Sequence, residues 1–153
     1  MSALNLSIPS GEVSLTASTA KTVLTAKAPS NQRLRVKGLE IFFKSTSPTD
    51  TPVKIDIARI TTDGQTGTAT AITPAKLDDE MAETAQGTYF AAYGTEPTSY
   101  GAIIRTWEIQ PQIPFCVYFP QGDEIYIKGG NELGIRLNPG QNQTCSVNLI
   151  VEE

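Results

Sequence analysis

The chain contains no histidine. That removes the side chain that most often serves as general base near neutral pH, and with it the Ser-His-Asp and Cys-His arrangements. It has only two cysteines, Cys116 and Cys145, far apart in sequence and in no CxxC spacing. Without histidine ligands these two cannot make a zinc site; they are expected as a buried thiol at Cys145 or, alternatively, a Cys116–Cys145 disulfide. The phosphate-cradling GxxxxGK[ST] and GxGxxG patterns and the GxSxG elbow are missing. Paired carboxylates remain as possible acid–base machinery, but the one acidic cluster, Asp78-Asp79-Glu80, reads as a solvated turn and lacks the spaced oxygens of an EF-hand loop. No enzymatic activity, cofactor or metal is therefore expected. Apolar runs are all far too short to span a bilayer, and no charged segment followed by an apolar one opens the chain. The expectation is a protein made and kept in a reducing cytosol, without a membrane partner. A net charge of −4 also disfavours nucleic acid.

What is present is alternation. The 153 residues, 39% hydrophobic and with ten prolines and twelve glycines, suit one domain of short strands and many turns. The central stretch RLRVKGLEIFFK, residues 33–44, places Leu34 and Val36 on one face; after Gly38 the apolar positions become Leu39, Ile41 and Phe43. A flip of one residue at a glycine predicts a β-bulge in one long bent strand. The same period-two pattern marks Val13 and Leu15, residues 22–29, Val53/Ile55/Ile57, and Ile103/Trp107/Ile109. It returns at Ile125/Ile127, Leu133/Ile135/Leu137 and Cys145/Val147/Leu149/Val151, with proline-broken edge character at residues 113–120. Residues 44–52, containing Pro48 and Pro52, read as a polar turn. Residues 74–87 are either one short helix, stacking Leu77, Met81 and Ala85, or an ordered loop. Eight to ten strands with at most one short helix predict an all-β, antiparallel β-sandwich of jelly-roll type. Residues 1–11 form either an arm that pairs elsewhere or a first strand, and residues 12–153 a single sandwich domain.

Three features bear on partners. Leu4, Leu6 and Ile8 alternate before Pro9 and would suit an arm adding to a neighbour. Arg33, Arg35 and Lys37 form a basic stripe on the outer face of the central strand, able to meet an acidic surface or simply to be solvated. Residues 1–60 carry eight Lys or Arg against four Asp or Glu, and the remainder four against twelve. This gives either two electrostatic faces or, if strands from both halves interleave, an asymmetry that averages out. Finally, Tyr89, Phe90, Tyr93, Tyr100 and Trp107 fall within twenty residues, either as a glycan-stacking platform or as core and margin aromatics.

Several stretches in order, TASTAKTVLTAKAPSNQRLRVKGLEIFF (16–43), TPVKIDIARITTDGQTGTATAITPAKLDD (51–79), EPTSYGAIIRTWEIQPQ (96–112), FPQGDEIYIKGGNELGIRL and the closing NLIVEE, carry a resemblance over nearly the whole length. The chain resembles a family of small structural proteins encoded among the head genes of tailed bacteriophages. The resemblance implies a non-enzymatic capsid cement (decoration) protein with a jelly-roll-like body. It would be a homotrimer on the outer capsid surface, bound to the major capsid protein and assembled in the host cytoplasm. Leu4, Leu6, Ile8, Arg33, Arg35 and Lys37 are the expected contacts. The alternative function is a glycan-binding sandwich using the aromatics between Tyr89 and Trp107.

Overall fold

In the computed structural model, which describes residues 3–44 and 51–153, each alternating stretch is a strand whose apolar face turns inward. The strands are β1 (Asn5–Leu15), β2 (Lys21–Lys27), β3 (Leu34–Phe43), β4 (Val53–Thr62), β5 (Thr70–Ile72), β6 (Ala75–Lys76), β7 (Thr88–Ala91), β8 (Ser99–Ile109), β9 (Phe115–Tyr118), β10 (Ile125–Ile127), β11 (Glu132–Asn138) and β12 (Gln143–Glu152). Two six-stranded antiparallel sheets face each other. The first runs β10-β3-β12-β1-β6, with β9 sharing the far side of β3; the second runs β5-β7-β2-β11-β4-β8.

The pairs β1–β12, β2–β11, β3–β9/β10 and β4–β8 are the rungs of one long antiparallel ribbon rolled so that successive rungs fall on alternate sheets. That is a jelly roll. One continuous cluster fills the space between the sheets, including Leu6, Ile8, Leu24, Leu34, Leu39, Ile41, Ile55, Ile57, Ile135 and Leu149. The strands β1–β4 alternate with β11 and β12 in the sheets, so the basic and acidic halves of the sequence are interleaved and the charge asymmetry does not become two faces.

The bend in the central strand lies where the sequence flips. Ile150 faces Gly38 while Val151 faces Val36, which leaves an extra residue in β3 and turns Leu34, Val36, Leu39 and Ile41 all into the core. A side chain at position 38 would have no room: its Cβ would stand 2.6 Å from the Tyr118 ring. A second bulge lies in β1 between Pro9 and Glu12, with Gly11 at φ +70°. There the Ser10 hydroxyl accepts the Val147 N–H at 2.9 Å and so repairs the interrupted ladder.

Three expectations are corrected or decided. Of the arm or first strand expected over residues 1–11, the described part is a strand of the body: β1 continues from Asn5 through the bulge to Leu15 between β12 and β6. Residues 74–87 form no helix. Ala75 and Lys76 pair with β1, Leu77 N–H donates to the Asn5 carbonyl at 3.0 Å, and Lys76 Nζ holds the Met81 carbonyl at 2.7 Å. An isolated helix this short is marginal, and a free sheet edge supplies the backbone with better partners. Met81 and Ala85 pack on the core while Leu77 is 58% exposed, so the three do not share a face. In β8 the register slips opposite Ile57, Ala58 and Ile60, which throws Ile103 outward instead of aligning it with Trp107 and Ile109. The polar turn expected at residues 44–52 falls mostly outside the described residues. The two cysteines are free, Cys116 exposed and Cys145 buried, and burial pushes the Cys145 thiol up to about 12.

Candidate functional site

The expected partner contacts are where the alternation put them, but their surroundings differ from the expectation. Leu4, Leu6 and Ile8 are buried in the chain's own core. As folded they offer no apolar face to a neighbour, so of the two readings, an arm or a first strand, these residues take the strand. Arg35 and Lys37 do share the outer face of β3, with Arg33 one residue before it, yet the two within the strand sit in a network with acids. Arg35 pairs with Glu152 at 3.1 Å and Glu124 at 3.9 Å, and Lys37 reaches Glu152 at 3.3 Å and the Asn5 side-chain oxygen at 3.3 Å. The guanidinium groups of Arg33 and Arg35 stand 4.6 and 5.6 Å from the centre of the Tyr126 ring. The stripe is largely neutralised within the chain, because β12 and β10 flank β3 and bring their acids alongside.

The aromatics between Tyr89 and Trp107 are dispersed. Tyr89 lies in the core with its hydroxyl on Glu153, Tyr93 is buried, and Trp107 packs against Phe115 at 5.2 Å between ring centres on the opposite flank. Tyr100 lies under the Arg136 guanidinium at 4.3 Å. They form no common platform.

A polar cluster that the sequence did not announce occupies the outer face of the second sheet. The Tyr93 hydroxyl donates to Asp63 Oδ2 at 2.6 Å, meets Thr25 Oγ1 at 3.0 Å and lies 3.5 Å from Glu132 Oε1. Burial, and then the hydrogen bond and charge of Asp63, push the Glu132 carboxyl up to about 7, with Lys27 pulling the other way. Asp63 and Glu132 line a cleft of about 710 Å³ together with Lys27, Arg59, Thr66 and Asn131.

The cluster works as a clasp. Residues 63–98 leave β4, cross to the far flank as β5, β6 and β7, and return to β8; Asp63 and Tyr93 fasten the two ends of this excursion to β2 and β11. Further carboxylates do the same. Glu96 accepts the Thr22 N–H at 2.7 Å, bonds the Thr22 hydroxyl and lies 3.9 Å from Arg136. Glu153 accepts the N–H groups of Gln86 and Gly87, each at 2.7 Å, and the Tyr89 hydroxyl at 3.0 Å. Much of the acidic excess of residues 61–153 is spent on these internal acceptor roles.

Among the described residues the opposite flank has no such cover: the eleven-residue β8 pairs only with β4, and β9 only with β3. Around these free edges Ile103 is 55% exposed, Ile113 64% and Tyr118 62%, with Arg105 exposed beside them. The sequence signal was present in Pro111 and Pro114, which prevent the β8–β9 connection from closing the flank. Ile103 was missed because a bulge inverted its side of the strand. No protein-family model matches this chain, and no curated protein is significantly similar to it.

Proposed function

We propose that the chain is a non-enzymatic virion structural protein, a capsid cement protein that sits on the outer surface of a tailed-phage head as a homotrimer and bridges neighbouring major capsid subunits. The observation that carries the reading is the pairing of a jelly-roll body, which the sequence resemblance implies, with one flank that no described strand covers and where Ile103, Ile113 and Tyr118 face outward. A cement protein needs a rigid block and surfaces for its neighbours; the jelly roll supplies the block and the open flank supplies a surface. Leu4, Leu6 and Ile8 drop out of the contact set, since they hold the block together, and the Arg33–Lys37 face contributes at most a rim contact. The test is electron cryomicroscopy of heads assembled with and without the protein, together with heat-induced release of packaged DNA. Density over three-fold positions and earlier release from bare heads are expected. Heads that neither bind the protein nor gain stability from it, or specific retention on a glycan array, would overturn the reading.

A further inference from the structure

The cleft beside Glu132 holds cations that the fold leaves without a counter-charge. Arg35, Lys37, Lys44, Lys54 and Arg136 each stand within 4.0 Å of a carboxylate oxygen. Among the described residues Lys27 and Arg59, which both line the cleft, are in no such pair. Lys27 is exposed at the end of β2; Arg59 is half-buried on β4 and donates from Nη1 to the Tyr126 carbonyl at 2.7 Å. Taking a guanidinium out of water without a counter-ion is costly, and burial pushes the Arg59 pKa down from its ordinary value. The acids of the cleft are engaged elsewhere. Asp63 Oδ1 accepts the Gln65 N–H at 3.0 Å and Oδ2 the Tyr93 hydroxyl at 2.6 Å. Glu132 is only 6% exposed, and its carboxyl is raised to about 7. The facing wall is main chain. In the β4–β8 ladder Ile60 faces Tyr100 and Ala58 faces Ile103, so Gly101 and Ala102 together stand opposite the single Arg59 as a β-bulge, and both line the cleft. A Cβ at position 101 would stand 3.5 Å from the Arg59 Cβ; glycine leaves that side of Arg59 open. The volume of about 710 Å³ lies in the range of small-molecule sites.

We infer that this cleft is an oxyanion site, in which Lys27 and Arg59 hold the carboxylate or phosphate group of a small molecule. Charge-assisted hydrogen bonds from an ammonium and a guanidinium are the strong means of holding such a group, and a part-buried guanidinium gains the counter-charge that the chain does not give it. Glu132 ties the site to pH. The charged groups around it are Asp63 after β4, Lys27 on β2 and Arg59 on β4, with the Tyr93 hydroxyl 3.5 Å away. A protonated Glu132 leaves the two cations facing Asp63 alone; an ionised one adds a second negative charge beside the bound anion. Affinity therefore falls as pH rises through neutrality. The site lies away from the β8–β9 edges and is independent of the cement reading.

The test is a titration of the full chain, followed by its amide nitrogen–proton NMR spectrum, with sodium acetate and with sodium sulfate against sodium chloride at matched ionic strength. Acetate stands for a carboxylate and sulfate for a phosphate, and neither changes charge between pH 6 and pH 8. Saturable shifts of the Gly64, Gly101 and Ala102 signals are expected at pH 6, and the tighter of the two salts identifies the group. Lys27→Ala should weaken the binding about tenfold, the scale of one charge-assisted hydrogen bond. Lys54→Ala, which removes the same charge at the far end of β4, should leave it unchanged. Ala102→Asp sets a carboxylate in the wall without removing a contact and should abolish it. Wild type should bind about threefold or more weakly at pH 8 than at pH 6, and Glu132→Gln should erase that difference. The dispersion of the same spectra shows that each variant is folded. Shifts equal to those in chloride, or rising without saturation in both salts, overturn the inference. So does binding that survives both Lys27→Ala and Ala102→Asp. An equal pH dependence in wild type and Glu132→Gln overturns the role given to Glu132.

Discussion

The two flanks of the sandwich close the same kind of gap in opposite ways. Where β1 and β2 end their sheets, residues 63–98 wrap over both edges and are pinned by Asp63, Tyr93, Glu96 and Glu153. Where β8, β9 and β10 end theirs, among the described residues no strand covers the edges, and isoleucines and a tyrosine face outward. Covering an edge takes some three dozen residues and a set of buried polar contacts, each of which must be satisfied to be stabilising. A chain that makes this provision on one side and omits it on the other has a direction, and its surface chemistry follows that direction.

The contrast predicts that substitutions on the closed flank cost folding stability and those on the open flank do not. The largest effect is expected at Leu6, fully buried on β1 at the closed end. Leu6→Ala should destabilise the body by about 2–5 kcal/mol, read by urea unfolding, as a core truncation does. A change below about 0.5 kcal/mol would mean that β1 is dispensable to the body and would revive the arm.

Next is the clasp at the chain's end. Glu153→Ala strands the buried Tyr89 hydroxyl and the N–H groups of Gln86 and Gly87, at an expected cost of about 1–3 kcal/mol. Tyr89→Phe in the same background should recover part of that loss, since it removes the orphaned hydroxyl. Additive losses from the two substitutions would show that Glu153 does not act through Tyr89.

The difference between these flanks was only half legible in the sequence. The period-two runs located the body strands, the glycine flip located the β3 bulge, and the prolines marked β9 as an edge, because each of those signals is local. What joins Asp63, Tyr93 and Glu132 is the register of β2, β11 and the excursion, and no local pattern encodes which strands become neighbours. At residues 74–87 the helix alternative fails and the ordered connection holds for a related reason: a spacing of four between Leu77, Met81 and Ala85 suits a helix, but the free edge of β1 drew Ala75 and Lys76 into a ladder. The stripe Arg33, Arg35 and Lys37 was placed on the correct face, while its neutralisation by Glu152 and Glu124 depended on non-local pairing.

The clasp also gives the closed flank a pH dependence. The Glu132 carboxyl is raised to about 7 in the folded chain, from an ordinary value near 4.5. Between those values the folded state binds more protons than the unfolded one, so stability falls as pH rises through this window and then levels off. Unfolding from pH 5 to pH 8 should show a decline of about 1–3 kcal/mol in wild type that Glu132→Gln largely removes. Gln keeps a hydrogen-bonding side chain beside Asp63 and Tyr93 but adds no charge, so the variant should match or exceed wild type at pH 8. An equal slope in both proteins would place the proton elsewhere and reduce the clasp to ordinary hydrogen bonds.

The smallest effect is the most discriminating. Ile103→Asp removes an apolar side chain and adds a charge, a change that costs several kcal/mol in a core. At a position 55% exposed on the free edge of β8, it should shift the unfolding free energy of the isolated chain by about 0.5 kcal/mol or less. The measurement is made in dilute solution, below the concentration at which chains associate, because any assembly would otherwise be counted as stability. A near-zero result there, beside the Leu6 and Glu153 losses, means that β8 keeps an apolar residue where the fold gains nothing from it. A large loss would mean that Ile103 is covered within the single chain, and the open flank would then be closed like its opposite.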